Sequence, residues 1–284
     1  MANLIDGKML SLEVKDNVKE KVKNFYEKYN KQVCLAVVLV GENPASKVYV
    51  NNKIKGAEYV GIKSLSFTLP QNATQDEVEN LVLGLVNNDE IDGILVQLPL
   101  PKGLDEEKIL NLIPAEKDVD GFTAQNVGNL FLGKPCISAC TPSGVIKMLE
   151  KTGIDLTGKN AVIIGRSNIV GKPMSALLLA KNCTVTICHS KTKNLSEICK
   201  NADVIVAAIG KAKFVKKDMV KKGAIVIDVG INRTETGLVG DVDFENVKEL
   251  ASFITPVPGG VGPMTIAMLM ENTLICAERR INKR

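Results

Sequence analysis

Apolar runs of strand length alternate with helix-like segments along the first half of the chain. The predicted strands are residues 34–40, 63–68 and 91–97. Residues 44–60 and 74–87 lie between them and repeat apolar positions at helical spacing. Asn43 and Pro44 suit a helix start, because asparagine caps free N–H groups and proline has none to leave unpaired. Strands separated by helices predict βαβ units and a mostly parallel sheet.

The alternation breaks down between residues 99 and 137, where proline, glycine and aspartate are frequent. From residue 141 it resumes. The predicted strands there are 161–164, 184–188, 204–209 and 224–229, and the predicted helices are 170–181 and 195–200. The second half is therefore again a parallel α/β sheet. We predict domains at residues 1–140 and 141–264, with a closing helix, 265–284, that packs back on the first domain.

Composition narrows the function classes. The chain has 284 residues, 45% hydrophobic and 24% charged, as in an ordinary folded protein of two domains. The net charge is +4 without a long basic run, so nucleic acid is not the expected partner. No apolar stretch approaches the roughly 20 residues that span a bilayer, so we expect no membrane partner. The N-terminus lacks the apolar core of a signal peptide, which favours the cytoplasm.

Seven scattered cysteines form no CxxC pair, and His189 is the single histidine of the sequence. A metal site is therefore not expected, and we interpret the cysteines as small buried apolar residues. One histidine also leaves little room for a catalytic triad or a histidine proton shuttle. A lysine, tyrosine, aspartate or glutamate is expected to handle protons instead.

A glycine-containing loop follows the predicted strand 161–164. It reads Gly-x-Ser-x-x-x-Gly, with Gly165, Ser167 and Gly171, and a helix follows it. Glycine permits a tight turn, and the N–H groups at the start of the helix are expected to be free to bind phosphate. The motif departs from GxGxxG, and a tight strand-to-helix turn without a ligand is the alternative interpretation.

The end of the next strand bears on which dinucleotide fits the loop. Sites for NAD place an acidic residue there to bind the ribose hydroxyls, whereas this chain continues with His189, Ser190 and two lysines. Arg166 offers a cation, and Ser190 a hydroxyl, to a 2′-phosphate. The sequence therefore predicts NADP rather than NAD, although a solvated loop would also explain the histidine and the lysines.

Tyr49 and Lys53 lie four residues apart in the first-domain helix and so share a face. The neighbouring stripe of Val50, Ile54 and Ala57 is expected to pack on the sheet. An amine beside an aromatic ring and an apolar wall is suited to carrying protons. An exposed lysine on an amphipathic helix is the alternative.

Three further segments carry candidate binding groups. Gln97 ends a strand, where ligands of open α/β sheets bind, although a glutamine that only stabilises a turn fits equally. Asp118 and Asp120 alternate in KDVDG, where one carboxylate would bind a donor-rich ring and the other brace the loop, unless both are ordinary turn residues. Residues 255–263 read TPVPGGVGP, whose prolines and glycines suit a stiff wall beside a ligand.

These motifs together resemble one family, the bifunctional methylenetetrahydrofolate dehydrogenase/cyclohydrolases. The matching segments are GENPASKVYVNNK, DGILVQLPLP, KDVDGF, GRSNIVGKP, GAIVIDVGIN and TPVPGGVGPMT. They follow the family's order and spacing along essentially the whole chain. The resemblance implies two parallel-sheet α/β domains flanking a cleft. The first would be the folate-binding catalytic domain, and the second a Rossmann-type domain for NADP.

The resemblance implies an activity in two steps: 5,10-methylenetetrahydrofolate passes a hydride to NADP, and water then opens the methenyl product to 10-formyltetrahydrofolate. Lys53 would be catalytic in the second step, tuned by Gln97. Tyr49 would stack on or orient the folate, and Asp120 would hold the pterin ring. The other implied folate-binding residues are Leu98, Pro258, Gly259 and Gly260. The implied NADP-binding residues are Gly165, Arg166, Ser167, His189, Ser190, Gly210, Ile231 and Thr265. A homodimer formed through the cofactor domain is also implied.

Two other interpretations remain open. A short-chain dehydrogenase also pairs a tyrosine and a lysine as in Tyr49-x-x-x-Lys53, but its dinucleotide loop comes first, whereas here the loop follows the pair by over a hundred residues. A noncatalytic NADP-binding protein would keep the glycine loop without needing Lys53, Gln97 or Asp120.

Overall fold

A computed structural model describes residues 1–235 and 237–282. Its strands are β1 (Asn3–Leu4), β2 (Cys34–Val40), β3 (Lys63–Leu69), β4 (Gly93–Val96), β5 (Asn160–Ile164), β6 (Thr184–Cys188), β7 (Val204–Ala207), β8 (Ile225–Asp228), β9 (Asn232–Thr234), β10 (Gly237–Val239) and β11 (Phe253–Ile254). Its α-helices are α1 (Gly7–Tyr29), α2 (Pro44–Val60), α3 (Gln75–Val86), α4 (Glu106–Asn111), α5 (Ala124–Phe131), α6 (Cys140–Lys151), α7 (Gly171–Ala180), α8 (Leu195–Lys200), α9 (Phe244–Val247) and α10 (Val261–Asn282). They form two compact units, named here by their sheets. The three-stranded unit comprises residues 12–140 and 266 onward, and the six-stranded unit comprises residues 1–11 and 141–265.

The three-stranded unit has a parallel sheet in the order β3-β2-β4. All seven residues of the central strand β2 are buried, which is why it is a continuous apolar run rather than an alternating one. The helix α2 begins as the sequence predicts, with Pro44 in the first turn and the Asn43 side chain accepting hydrogen bonds from the N–H groups of Ala45 and Ser46. Gly61 ends α2 at φ +83°, a left-handed conformation that glycine adopts without strain.

One face of α2 is buried. Val50 and Ala57 are buried as predicted, and Lys53 lies on the same buried side. Gly56 lies on this side too. A larger residue would not fit there, because its Cβ would come within 2.8 Å of the Ile266 side chain on α10. The packing of α2 therefore carries the lysine away from solvent.

The six-stranded unit has a parallel sheet in the order β1-β11-β8-β7-β5-β6. Its core cluster includes Val162, Ile205 and Val226 from three neighbouring strands. The first eleven residues belong to this unit, since β1 pairs with β11. The sequence analysis had placed them in the first domain, because a two-residue strand carries no periodicity.

Several helices were not predicted from the sequence. The helix α1 was not assigned, although Leu10, Val14, Val18, Val22 and Phe25 follow a helical spacing between its lysines and glutamates. The helices α4 and α5 lie in the proline- and glycine-rich stretch 99–137, where Asp105 and Thr123 cap them by accepting hydrogen bonds from the N–H groups of Lys108 and Asn126. Short polar caps mark the start of both helices.

The last helix, α10, begins four residues earlier than predicted, and residues 283–284 of the predicted helix lie outside the described part of the chain. From residue 266 it belongs to the three-stranded unit. The Asn272 side-chain amide donates to the carbonyl oxygens of Val119 and Ser138, both at 2.9 Å, and Arg280 donates to the buried Asp92 carboxylate at 3.2 Å. Like the other helices of the described residues, α10 is not apolar over a length that would cross a membrane.

Candidate active site

Lys53 is 8% exposed, so the alternative of a solvated surface lysine is wrong. Its Nζ donates a hydrogen bond to Gln97 Oε1 at 3.0 Å. Gln97 directly follows β4, where its backbone N–H donates to the Val38 carbonyl oxygen at 2.8 Å. Its Nε2 donates to the Leu98 carbonyl oxygen at 2.6 Å, which turns the amide oxygen toward the lysine. Gln97 therefore stabilises the turn and orients the amine at the same time.

The two aspartates of KDVDG have different surroundings. The Asp118 carboxylate accepts hydrogen bonds from the backbone N–H groups of residues 121–123 at 2.8 to 3.2 Å and from Asn126 Nδ2 at 2.9 Å. These four donors occupy the acceptor sites of the carboxylate. Asp118 is therefore the residue that braces the loop, which leaves Asp120 as the binding candidate.

Asp120 is half-buried in the same unit. Burial raises the pKa of its carboxyl to about 6, while the positive charge of Lys53 lowers this pKa and the Asp118 carboxylate raises it. The buried Cys140 thiol lies 3.9 Å from Asp120 Oδ1 and donates to the Val119 carbonyl oxygen at 3.4 Å. A carboxyl with this pKa changes its charge just below neutral pH, so ligand binding at Asp120 is expected to depend on pH.

Tyr49 lies one helical turn before Lys53 and is half-buried. Burial raises the pKa of its phenol, so the hydroxyl keeps its proton at neutral pH. The phenol offers a flat apolar ring and a hydrogen-bond donor on the face of α2 that carries the lysine. The structure thus brings Lys53, Gln97 and Asp120 together, with Tyr49 one turn away.

The sequence analysis did not find Asn272 and Cys140 as neighbours of this site. Asn272 Nδ2 lies 3.4 Å from Cys140 Sγ and also holds the carbonyl oxygen before Asp120. In the sequence Asn272 stands between Glu271 and Thr273 in the last helix, so nothing marks it as a buried residue. Its partners are more than 130 residues away, a distance at which periodicity gives no information.

In the six-stranded unit, the loop after β5 requires glycine at two positions. Gly165 has φ +132°, and a Cβ there would lie 2.3 Å from the Ala208 carbonyl oxygen. A Cβ at Gly171, the first residue of α7, would lie 2.2 Å from the Gly165 carbonyl oxygen. Strand and helix therefore meet in the close turn that a dinucleotide phosphate requires.

One expectation for this loop is wrong. The N–H groups at the start of α7 were expected to be free for phosphate, but Ser167 already binds them. Its hydroxyl accepts from the N–H groups of Val170 and Gly171 at 3.2 and 3.4 Å, and its carbonyl oxygen accepts from Lys172 at 3.0 Å. The helix dipole still favours an anion here, but the first N–H groups of the helix are already paired.

Arg166 and Ser190 are exposed, and each follows the carboxyl end of a strand, β5 and β6, that pair in parallel. The His189 N–H donates to Thr192 Oγ1 at 2.8 Å, and His189 Nδ1 accepts from the Lys191 N–H at 3.1 Å. The segment after β6 is thus an ordered turn, and residues 189–194 contain no acidic side chain. A cation and a hydroxyl are available to a phosphate without an opposing carboxylate.

Two of the remaining predicted cofactor residues also follow strands of this sheet. Gly210 comes after β7 with φ +63°, and Ile231 comes after β8 and is 43% exposed. Thr265 lies on α10, where its hydroxyl is 2.9 Å from that of Thr141. Ligands of parallel sheets bind at the carboxyl ends of strands, so the first two positions suit a dinucleotide.

The segment 258–260 forms a compact turn before α10. Gly259 has φ +100°, and its carbonyl oxygen accepts from the Lys8 N–H at 3.0 Å. A Cβ at Gly260 would lie 2.4 Å from the Pro256 carbonyl oxygen. Glycine is therefore needed at both positions, and the contact of Pro258, Gly259 and Gly260 with folate stays a prediction.

In the part of the chain that the structure describes, no three His, Cys, Asp or Glu side chains cluster in a way that would hold a metal ion. Six of the seven cysteines are buried, and the seventh, Cys136, is half-buried. They are free thiols, as the interpretation of small buried apolar residues expects.

Two family models match the chain. The catalytic domain of tetrahydrofolate dehydrogenase/cyclohydrolase matches residues 5–120, and the NAD(P)-binding domain of tetrahydrofolate dehydrogenase/cyclohydrolase matches residues 139–281. The matched ranges contain, in order, the Lys53 site and the glycine loop.

Individual proteins match over the full length. The bifunctional protein FolD of Agathobacter rectalis is 55% identical over 280 residues, which are 98% of this chain and 100% of that protein. The crystal structure of the FolD methylenetetrahydrofolate dehydrogenase/cyclohydrolase of Campylobacter jejuni is 53% identical with a TM-score of 0.96, covering 99% of this chain and 100% of its own. The Trypanosoma brucei dehydrogenase-cyclohydrolase, crystallised with NADP and an inhibitor, is 36% identical with a TM-score of 0.95, covering 99% and 98%.

Proposed function

This chain belongs to the tetrahydrofolate dehydrogenase/cyclohydrolase family, and from that premise we propose that it oxidises 5,10-methylenetetrahydrofolate with NADP and hydrolyses the 5,10-methenyl product to 10-formyltetrahydrofolate. It is a bifunctional enzyme, both oxidoreductase and hydrolase. The proposal rests on one observation. The Lys53 amine is buried, donates a hydrogen bond to Gln97 and interacts electrostatically with the Asp120 carboxyl. A noncatalytic dinucleotide-binding protein has no use for that group.

We assign folate to the three-stranded unit. Asp120 accepts hydrogen bonds from the donor-rich edge of the pterin, and Tyr49 orients the ring system with its flat phenol. Oxidation removes a hydride from the carbon that bridges N5 and N10, and bound NADP is the acceptor. The lone pairs of N5 and N10 stabilise the cation that forms, so placement of the reactants supplies most of this catalysis.

Hydrolysis of the methenyl cation needs a group that moves protons. Water forms a bond to the bridging carbon and loses a proton. The bond from that carbon to N5 then breaks as N5 gains a proton and the new hydroxyl loses one, so that one proton in total is released to solvent. Lys53 is the group placed to take and return these protons, with Gln97 holding its Nζ in position.

We assign NADP to the six-stranded unit. The close turn at Gly165 and Gly171 admits a phosphate next to backbone, and the exposed Arg166 and Ser190 are free to bind the 2′-phosphate. Because Ser167 already satisfies the first N–H groups of α7, its own N–H and those of its loop neighbours are assigned to the phosphate instead. We place Gly210, Ile231, His189 and Thr265 around the rest of the cofactor, which supplies a hydride acceptor.

The first test is the absorbance of the methenyl chromophore during reaction with 5,10-methylenetetrahydrofolate. We expect a rise that requires NADP, is far slower with NAD, and is followed by decay as 10-formyltetrahydrofolate forms. If the methenyl chromophore accumulates without catalysed decay, the proposed hydrolase activity is refuted. If the methenyl absorbance does not rise in the presence of NADP, the proposed dehydrogenase activity is refuted.

Asp120→Ala is expected to raise the KM for 5,10-methylenetetrahydrofolate by about 10- to 100-fold, because hydrogen bonds to a charged acceptor are lost. The Kd for NADP, measured by calorimetry, should not change. In the parent enzyme the same KM should rise as pH falls through about 6, because the buried carboxyl then takes up a proton and loses acceptor capacity.

Asp120→Asn is the matched variant for this pH dependence, since it keeps the size of the side chain and cannot titrate. Its folate KM should be raised and flat between pH 5 and 7.5. A weakened NADP affinity in either variant, with an unchanged folate KM, would place the pterin pocket elsewhere.

We also propose that the enzyme is a homodimer through its six-stranded unit and that it works in the cytoplasm. The family resemblance supports the dimer, and the seven free thiols suit a reducing compartment. Sedimentation equilibrium should return twice the mass of one chain, and a monomer at micromolar concentration would contradict the dimer.

A further inference from the structure

The loops after β7 and β8 turn around a buried carboxylate that the proposed mechanism does not use. Asp241 is fully buried in the six-stranded unit. Its Oδ2 accepts hydrogen bonds from the N–H groups of Ile209 and Gly210 at 2.7 and 2.9 Å. Its Oδ1 accepts from the Lys211 N–H at 2.8 Å and from Asn232 Nδ2 at 3.0 Å. One carboxylate therefore binds three successive amides after β7 and one side chain after β8.

A second buried aspartate, Asp228 at the end of β8, holds the first. Its Oδ1 accepts from the N–H groups of Gly230 and Asp241 at 3.0 and 2.8 Å, and its Oδ2 accepts from the Val242 N–H at 2.9 Å. The Asp228 N–H donates to Thr255 Oγ1 at 2.7 Å, just after β11. The pair thus connects the segments that follow β7, β8 and β11, at the edge of the sheet where ligands bind.

Two glycines make room for this arrangement. A Cβ at Gly230 would lie 2.1 Å from Asp241 Oδ1, and a Cβ at Gly240 would lie 1.8 Å from Asp228 Oδ2. Both carboxylates are held by several hydrogen bonds and have no space to move aside. Glycine at these positions is therefore required for the contact between carboxylate and backbone rather than for a special backbone angle.

Burying two carboxylates side by side is costly. Burial raises the pKa of Asp228 to about 7, and the charge of Asp241 raises it, while the N–H donors of Val242, Asp241 and Gly230 lower it. A hydrogen bond from an N–H group to a carboxylate is stronger than one to a neutral acceptor, and here several N–H groups converge on each carboxylate. These hydrogen bonds therefore hold the loops after β7 and β8 rigidly.

We propose that Asp241 is a positioning residue for the part of NADP that lies at Gly210 and Ile231. By fixing residues 209–211 and Asn232, it sets where Gly210 and Ile231 meet the cofactor, and Asp228 holds it in place. The inference rests on the proposed function, because that function puts Gly210 and Ile231 at the cofactor. The carboxylate itself touches only protein.

Asp241→Asn tests this directly, because asparagine has the same shape with one acceptor replaced by a donor. Whichever way the amide turns, its NH2 group faces two donors: the N–H groups of Ile209 and Gly210 on one side, or those of Lys211 and Asn232 on the other. Asp228→Asn is milder, since its Oδ2 receives only one N–H group. Asp241→Asn should therefore disturb the loops more than Asp228→Asn does.

We expect Asp241→Asn to weaken NADP binding, measured by calorimetry, by about 10- to 100-fold, and Asp228→Asn to weaken it only a few-fold. In the cofactor-free protein, hydrogen exchange at the amides of residues 209–211 should accelerate in the same order. Hydrolysis of methenyltetrahydrofolate without NADP should stay at the parent rate. Asp243→Asn is the control, because that carboxylate contacts the Asn246 side chain and should leave all three measurements unchanged.

An unchanged NADP Kd and unchanged exchange in Asp241→Asn would overturn the proposal. Equal losses of NADP affinity and of methenyl hydrolysis would also overturn it, because they indicate general destabilisation. If Asp241→Asn does not fold, Asp228→Asn decides: parent-like affinity and exchange refute the proposal, and a shift in both supports it. Failure of the proposed function would instead be visible in the parent enzyme, as an absence of NADP binding or of methenyl hydrolysis.

Discussion

Lys53→Met is expected to slow hydrolysis of 5,10-methenyltetrahydrofolate by about 100- to 10,000-fold, the range for losing a positioned proton carrier. Methionine fills much of the volume of the lysine stem but cannot accept or return a proton, and it leaves Gln97 Oε1 without its donor. The rate is measured as decay of the methenyl absorbance in the absence of cofactor. The Kd for NADP should be unchanged, because the glycine loop belongs to the six-stranded unit.

Lys55→Met is the matched control. Lys55 lies on the same helix two residues further on, and it is exposed rather than buried. The control should hydrolyse the methenyl substrate at the parent rate. Full hydrolysis by Lys53→Met, or equal losses in both variants, would discard the role assigned to the Lys53 amine.

Arg166→Ala is expected to weaken NADP binding by about 10- to 100-fold, because a hydrogen bond between a guanidinium and a phosphate is among the stronger ones in proteins. NAD lacks the 2′-phosphate, so its much weaker binding should change little. Calorimetric titration with each dinucleotide separates the two effects. The loss for NADP should shrink as salt increases, since Arg166 is exposed and its charge is screened.

Lys200→Ala serves as the control for this variant, as it removes an exposed cation at the end of α8. It should leave both dinucleotide affinities unchanged. Equal losses of NADP and NAD affinity in Arg166→Ala would mean that the 2′-phosphate lies elsewhere and that Arg166 contacts a part common to both molecules.

Much of the fold could be predicted because apolar periodicity is a local property. The strand Cys34–Val40 and the helices Pro44–Val60 and Leu195–Lys200 were predicted at or close to their observed bounds. The helix α1 was missed although Leu10, Val14, Val18 and Val22 follow a helical spacing, whereas β1 was missed because pairing to β11, 250 residues later, decides its structure. Such long-range pairing leaves no mark on the local pattern.

The site was predictable in its residue types more than in their division of labour. The spacing of Asp118 and Asp120 left their roles open, and the family resemblance assigned the pterin to Asp120. The four donors around Asp118 now show that Asp118 braces the loop. The family resemblance implied that Ser167 binds NADP, and the structure shows that its hydroxyl is hydrogen-bonded to the backbone at the start of the helix that follows. The role of Asp241 could not be predicted, because the sequence does not distinguish a buried aspartate from a solvated one.

The most direct test of the account compares Lys53→Met and Arg166→Ala in one measurement, the decay of methenyltetrahydrofolate absorbance without any dinucleotide. The amine assigned to proton transfer lies in one unit, and the cation assigned to the phosphate lies in the other. Arg166→Ala should therefore hydrolyse the substrate at the parent rate, while Lys53→Met should be close to the uncatalysed rate. Equal rates in the two variants, whether both fast or both slow, would contradict this assignment of roles.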